Sequence, residues 1–164
     1  MEATNWRKGM KWIGASAELV MDHPVEAVWE FVSNIENFGR WVDAVQEPKW
    51  TSEGERGVGS TYESEYVWSG KTSHVEYEVT EYEQPSKFGS RTTAGRYPYQ
   101  GTITIESVEG GTKVTHDMMA GSDGAITAFM FTYLGWLLRP MMRSRLLKEL
   151  ETMSDEIRRD AASR

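Results

Sequence analysis

The stretch Val20-Met21-Asp22-His23-Pro24-Val25-Glu26-Ala27-Val28-Trp29 marks the point where a strand gives way to a helix. Upstream of it, from Ile13 to Met21, apolar or small residues occupy every odd position, and this period of two predicts a strand. Downstream, Pro24 suits the first turn of a helix, and the apolar residues that follow it recur at helical spacing. We therefore predict a helix over about residues 24–34 and a second, short helix over about residues 36–44.

Further segments alternate between apolar and polar residues, as strands do when one face of a sheet is buried. They are residues 62–68, 75–79 and 97–105, and in each most of the aromatic or aliphatic side chains share one parity. Glu109-Gly110-Gly111 forms a tight hairpin turn that leads into another alternating run, residues 114–118. With the weaker patterns between them, these segments predict six or seven strands joined mostly by short turns, and therefore an antiparallel sheet.

The period changes after Asp123, and the remaining sequence is typical of a helix. Residues 125–138 are almost wholly apolar, and Pro140 interrupts them. An apolar stripe then continues beside charged residues through Leu146, Leu147, Leu150, Met153 and Ile157. We predict one long C-terminal helix, reaching about residue 160, with a kink at Pro140. Its apolar half is shorter than the roughly 20 residues that a membrane-spanning helix needs.

Charge and composition exclude several classes of function. The net charge of −7 repels phosphate backbones, so we expect no nucleic-acid partner. The absence of Cys removes disulfides, Cys-based zinc sites and thiol nucleophiles. The 3 His lie on different predicted elements without metal-binding spacing, so we expect neither a metal nor a cofactor. The apolar stretch after the basic start is too interrupted for a secretory signal, and we expect a cytoplasmic protein.

Five short motifs occur in an order that is known from one superfamily. They are residues 20–29, Asn37 to Trp41, Gly57-Val58-Gly59, residues 79–85 and Gly111-Thr112-Lys113-Val114. Together they resemble the START-related SRPBCC superfamily, and most of all its polyketide cyclase/dehydrase branch; His23 departs from the pattern, which usually has Ala there. The resemblance implies a single α+β domain over about residues 12–160, after a loosely ordered segment, residues 1–11. Its fold would be the helix-grip, a curved antiparallel sheet wrapped around the long C-terminal helix, with two short helices after the first strand.

The resemblance further implies a cavity between sheet and helix that takes lipids, sterols, polyketides or quinones. Strand parity and the apolar helix point a set of candidate ligand-binding side chains toward it: Tyr62, Tyr66, Trp68, Tyr77, Tyr99, His116 and Met118 from the strands, and Phe129, Met130, Tyr133 and Trp136 from the helix. Apolar walls with a few hydroxyl groups are the usual form of a small-molecule site. The alternative is that these rings simply fill the core.

Three functions remain open. The first is binding of a hydrophobic or aromatic small molecule in this cavity. The second is an aromatase/cyclase or dehydratase in which His116, the one titratable group predicted to face inward, exchanges protons while Tyr hydroxyls hold an enolate oxygen. The third is an accessory factor that meets a membrane or a protein through the Met- and Arg-rich residues 130–145. We favour the alternative over membrane contact, namely that the apolar half of the helix, residues 125–138, is buried and the half after it is solvated, because the fold requires the helix to be gripped.

Overall fold

The structure is a computed structural model that describes residues 9–122 and 124–164. Most of the N-terminal segment that we expected to be loosely ordered, namely residues 1–8, lies outside the described residues. The elements follow in chain order as β1 Trp12–Met21, α1 Val25–Ser33, a 3-10 helix Ile35–Asn37, α2 Phe38–Trp41, β2 Val45–Trp50, β3 Thr61–Trp68, β4 Lys71–Glu83, β5 Lys87–Ala94, β6 Tyr99–Val108, β7 Gly111–Gly121, α3 Ala125–Tyr133 and α4 Gly135–Ala162.

The strands form one 7-stranded sheet in the order β1-β7-β6-β5-β4-β3-β2, with every neighbouring pair antiparallel. Register shifts interrupt the β2–β3 and β4–β5 pairings, and such bulges bend a sheet. The curved sheet faces the C-terminal helix α4. The short helix α1 follows β1, and the 3-10 helix and α2 follow α1. This is the helix-grip architecture that the family resemblance implied.

Strand β2 was not predicted. The pattern indicated a helix to about residue 44 and no strand directly after it, whereas the chain pairs with β3 from Val45 onward. The register shift between Gln46 and Lys49 accommodates Pro48, which has no amide hydrogen for the sheet. This irregularity removes the period of two by which a strand is recognised in sequence.

The turn between β1 and α1 is attached to the C-terminal helix through His23. Its side chain is buried, and its Nε2 atom lies 2.8 Å from the carbonyl oxygen of Ser154 and 3.1 Å from the Ser154 hydroxyl. The hydroxyl of Thr112 donates to the His23 carbonyl oxygen over 2.7 Å. The one departure from the family's opening motif is therefore a structural residue that joins β1, β7 and α4.

The inner side of α4 carries the helical half of the core. Leu146, Leu150, Met153 and Ile157 are buried there, as the apolar stripe predicted. Two further residues of α4 show the opposite of their predicted burial. They are Leu147, which is 37% exposed, and Glu149, which is 5% exposed although its charge predicted a solvated position.

The long C-terminal helix is broken at Leu134, and α4 continues through Pro140. Leu134 leaves the helical conformation with φ −113 and ψ 8, and Gly135 is buried where a β-carbon would meet Ile13 at 3.8 Å. Pro140 lies in the second turn of α4, so the predicted kink is in the wrong place. The break at Leu134 separates α3 from the helix that the sheet surrounds.

None of the residues of α3 is buried, although this helix is apolar on all sides. It contacts α4 and the edge strand β1. Our expectation that the fold grips residues 125–138 is therefore wrong for this segment, because the sheet surrounds the middle of α4 instead. Among residues 9–122 and 124–164, no helix combines the length and apolar character needed to cross a bilayer.

Candidate functional site

A cavity of about 170 Å³ lies between the concave face of the sheet and the first half of α4. Its lining includes Phe38, Trp41, Tyr62, Ser64, Tyr66, Val75, Tyr77, Phe88, Ser90, Tyr97, Tyr99, Gly101, Ile103, His116, Met118, Met142, Arg145, Leu146 and Glu149. Most of this surface is apolar or aromatic. Since an apolar cavity of roughly 150 Å³ accepts benzene, the volume here is sufficient for at least one aromatic ring.

Two tyrosines form a stacked pair on the sheet side of the cavity. Tyr62 and Tyr77 are directly opposite each other on β3 and β4, and their ring centroids are 4.6 Å apart with an interplanar angle of 5°. The Tyr62 hydroxyl donates to Ser90 Oγ over 2.7 Å, and the Ser64 hydroxyl donates to the Tyr77 oxygen over 3.3 Å. Burial raises the pKa of Tyr77 to about 12 and that of Tyr62 well above its ordinary value, so both phenols stay protonated at neutral pH.

A third tyrosine reaches His116 because a glycine lies beneath it. Ile103 of β6 is opposite His116 of β7, and Gly101 is opposite Met118. The side chain of Tyr99 lies over Gly101, where any β-carbon would overlap its ring and hydroxyl. This places the Tyr99 hydroxyl 3.3 Å from His116 Nε2 in the cavity wall. Gly101 thus permits a hydroxyl–imidazole pair that a larger residue would displace.

His116 is held as a neutral imidazole. Its side chain is 3% exposed, and burial lowers its pKa to about 4. Within the described part of the chain, its Nδ1 atom and the indole Nε1 atom of Trp41 are buried without a hydrogen-bond partner. The two rings are in edge contact, with centroids 6.0 Å apart. The wall therefore carries unused hydrogen-bonding capacity beside the Tyr99 hydroxyl.

An ion pair on α4 forms part of the cavity rim. Arg145 donates from Nε to Glu149 Oε1 over 3.2 Å and from Nη2 to the carbonyl oxygen of Asp43 over 2.8 Å. Glu149 also accepts the Asp43 backbone N–H over 3.2 Å, and burial raises the pKa of this carboxyl group. The guanidinium group of Arg145 lies 5.3 Å from the ring centroid of Trp68. The rim thus joins α4 to β3 and to the loop after α2.

The half-buried residues of the lining show where the cavity opens. They include Tyr66 and Tyr97, whose ring centroids are 5.3 Å apart, and Met142 and Arg145 on α4. The opening thus lies between the first half of α4, the end of β3 that carries Tyr66 and the loop between β5 and β6 that carries Tyr97.

The structure brings part of the predicted ligand-binding set to this cavity. The residues that line it are Tyr62, Tyr66, Tyr77, Tyr99, His116 and Met118. The residues that lie outside it are Trp68, Phe129, Met130, Tyr133 and Trp136. Trp68 has the predicted parity, but β3 has passed the end of the cavity there, and its side chain is 51% exposed. Phe129, Met130 and Tyr133 lie on α3, before the helix break at Leu134. Trp136 is exposed in the first turn of α4, before that helix reaches the cavity.

The helical wall of the cavity was not predicted. Met142, Arg145, Leu146 and Glu149 are spaced as neighbours on one helix face, which is the signal that identifies them. The prediction passed over them because Arg145 and Glu149 were counted with the solvated face. Trp41 of α2 also lines the cavity, and its place on a short helix gave no sign of this.

The described residues contain no group of three or more His, Cys, Asp or Glu side chains arranged to hold a metal ion. His74, the third histidine, lies on the outer face of β4, where its side chain is exposed. Its Nδ1 atom is 3.1 Å from a carboxylate oxygen of Glu65.

Solved structures that resemble the fold include proteins of several kinds. TTHA0849 from Thermus thermophilus aligns with a TM-score of 0.72 and 18% identity, over 92% of this chain and 99% of that protein. The Zhui aromatase/cyclase from Streptomyces sp. R1128 aligns with a TM-score of 0.68 and 9% identity, over 92% and 96% of the two chains. Ara h 8.0201 aligns with a TM-score of 0.62 and 14% identity, over 90% and 98%. At these identities the likeness shows the fold alone.

A comparison with curated protein sequences finds no match. Residues 14–161 match the sequence profile of the family described as polyketide cyclase / dehydrase and lipid transport. That range contains every strand and helix named above except the first two residues of β1 and the last residue of α4. The match agrees with the order of motifs and with the cavity between sheet and helix. The chain therefore belongs to the polyketide cyclase/dehydrase and lipid transport family.

Proposed function

We propose that the protein binds a hydrophobic or aromatic small molecule in the cavity between the sheet and α4. The observation that carries this proposal is an apolar cavity of about 170 Å³ that retains a few polar groups in its wall. Burial of apolar surface supplies affinity in such sites, and the few polar groups orient the ligand.

The charges around the cavity favour a neutral ligand. Arg145 and Glu149 pair with each other over 3.2 Å, so neither is left to balance a charge on the guest. Tyr62 and Tyr77 remain protonated, and His116 is neutral at pH 7. A planar aromatic compound with a hydroxyl or carbonyl group matches these walls, because it stacks on the rings and hydrogen-bonds to the polar groups.

Native mass spectrometry of gently purified protein tests whether a small molecule is retained. Titration with a quinone, a flavonoid, a sterol and a fatty acid then measures binding through tryptophan fluorescence, which responds because Trp41 lines the cavity.

Met118→Trp fills the cavity from β7, and Met119→Trp places the same side chain on the outer face, where Met119 is 44% exposed. Saturable binding that Met118→Trp abolishes and Met119→Trp retains supports the proposal. No retained molecule and no saturable response would refute it.

A second candidate function is an aromatase/cyclase or dehydratase, and the hydrogen bond between Tyr99 and His116 in the cavity wall favours it. The neutral imidazole would accept a proton from a carbon next to a carbonyl group, and a phenol would donate to the oxygen that becomes negative. A pKa near 4 makes His116 a weak base at pH 7, and for this reason we rank catalysis below binding.

Turnover of a polyketide-like compound with several carbonyl groups tests the catalytic role. His116→Gln is expected to abolish turnover, and Tyr99→Phe is expected to reduce it on the order of 100-fold, as loss of an acid–base or oxyanion partner does. His74→Gln, on the outer face of β4, is the matched control. Unchanged turnover in His116→Gln would remove His116 from the mechanism.

A further inference from the structure

Two consecutive helices, α3 and the start of α4, expose large apolar side chains that the domain leaves uncovered. We call the following residues the 126–141 patch: Ile126 79%, Phe129 59%, Tyr133 63%, Trp136 72%, Leu137 49% and Met141 65% exposed. The two helices contact each other, and the rings of Phe129 and Tyr133 have centroids 4.7 Å apart. Helices that are apolar on all sides are normally covered by protein or lipid, so a partner is expected here.

The charges of this segment favour one class of partner. Residues 124–148 contain four basic residues and no Asp or Glu, although the whole chain carries a net charge of −7. Arg139 and Arg143 are exposed, and neither forms an ion pair with any residue in the ranges 9–122 and 124–164. Apolar side chains mixed with unpaired arginines match an anionic lipid surface, where the rings enter the acyl boundary and the guanidinium groups meet phosphates.

A second copy of the chain fits this patch less well. A two-fold interface centred on the patch would bring the same basic residues together from both subunits, and like charges that face each other oppose association. We propose that the 126–141 patch docks the protein on anionic membranes. Met142 and Arg145, which directly follow the patch, line the cavity, so docking would bring its opening close to the lipid.

Co-sedimentation with vesicles tests this docking, with phosphatidylcholine alone and phosphatidylcholine mixed with phosphatidylserine as the two surfaces. The protein is expected to bind the mixed vesicles, to bind the neutral vesicles much less, and to be released by salt. Arg139→Gln with Arg143→Gln should weaken binding to the mixed vesicles on the order of 20-fold. Arg158→Gln with Arg159→Gln, near the other end of α4, is the charge-matched control and should leave binding unchanged.

A separate double substitution tests the contribution of the apolar side chains of the patch. Ile126→Ser with Trp136→Ser should abolish vesicle binding, whereas Val58→Ser, at a residue 69% exposed on a distant loop, should not. These positions are exposed, so circular dichroism is expected to show an unchanged fold. Equal binding to both vesicle types, no binding to either, or a dimer that Trp136→Ser dissociates without any vesicle binding would overturn the proposal. Ligand binding by Met118→Trp is measured without vesicles, so the two proposals fail independently.

Discussion

The hydroxyl of Tyr99 lies 3.3 Å from Nε2 of His116, and it reaches this position because residue 101 has no β-carbon. Gly101→Ala is expected to push the Tyr99 ring away and to leave both nitrogens of the buried imidazole unpaired. The loss should lower the free energy of unfolding by about 1–3 kcal/mol. Urea denaturation measures it, and Gly57→Ala, where a β-carbon meets nothing within 4 Å, is the control. An unchanged midpoint would show that the Tyr99–His116 contact contributes nothing to stability.

Acid should destabilise the fold through His116. Its pKa is about 4 in the folded protein against 6.5 when exposed, so between these values the unfolded chain binds more protons and the free energy of unfolding falls as the pH falls. The full effect is about 3 kcal/mol. Glu149 acts in the opposite direction, because burial raises its pKa and protonation then favours the folded state.

His116→Gln isolates this effect. Chemical denaturation at pH 7 and near pH 4.5 gives the loss of stability on acidification for the variant and for the parent protein. The variant is expected to lose less than the parent, by about 2–3 kcal/mol. Equal losses would mean that His116 is not protonated on unfolding over this range.

His23→Ala should destabilise the protein without altering the cavity. It removes the contacts of the imidazole with Ser154, at 2.8 and 3.1 Å, and leaves the buried hydroxyl of Ser154 without this partner. A loss of about 2 kcal/mol in the free energy of unfolding is expected. His74→Ala removes only the contacts of an exposed imidazole with carboxylate groups and should cost less than about 0.5 kcal/mol. Similar losses in the two variants would contradict the structural role of His23.

The hairpin between β6 and β7 provides a test of backbone packing. Gly111 has φ 144, and a β-carbon there would overlap the carbonyl oxygen of Met21. Gly111→Ala should therefore lower the free energy of unfolding by more than about 2 kcal/mol. Gly110 has φ 88 with nothing within 4 Å of a β-carbon, so Gly110→Ala should cost only about 1 kcal/mol. Thermal denaturation distinguishes the two, and equal shifts in Tm would contradict the predicted overlap.

The strand wall of the cavity could be predicted because alternation along a strand is a local property. Tyr62, Tyr77, Tyr99 and His116 face inward as their parity predicted, since each lies on a strand with one buried face. Trp68 shares this parity and still faces solvent, because parity gives the face of a sheet but not where the opposite helix ends.

The helical wall could not be predicted, because burial of a helix depends on the elements that reach it. Nothing local distinguishes Trp136, which is 72% exposed, from a core residue. Glu149 has the charge of a surface residue, and its burial depends on Arg145 and on the Asp43 backbone, which is distant in sequence. No proline in the sequence indicates the helix break at Leu134. Pro140 indicated a break at a position where the helix in fact continues.

The contacts of Arg145 have a kinetic consequence for any guest. Widening the entrance beside α4 breaks the hydrogen bonds of Arg145 to Glu149 and to the Asp43 carbonyl oxygen, and also its cation–π contact with Trp68. We therefore expect entry and exit to be limited by a motion of the protein on the microsecond-to-millisecond scale, slower than diffusion. A substitution that weakens these contacts of Arg145 would speed ligand entry and ligand exit by the same factor. The residence time of the ligand would then shorten while its equilibrium affinity stayed the same.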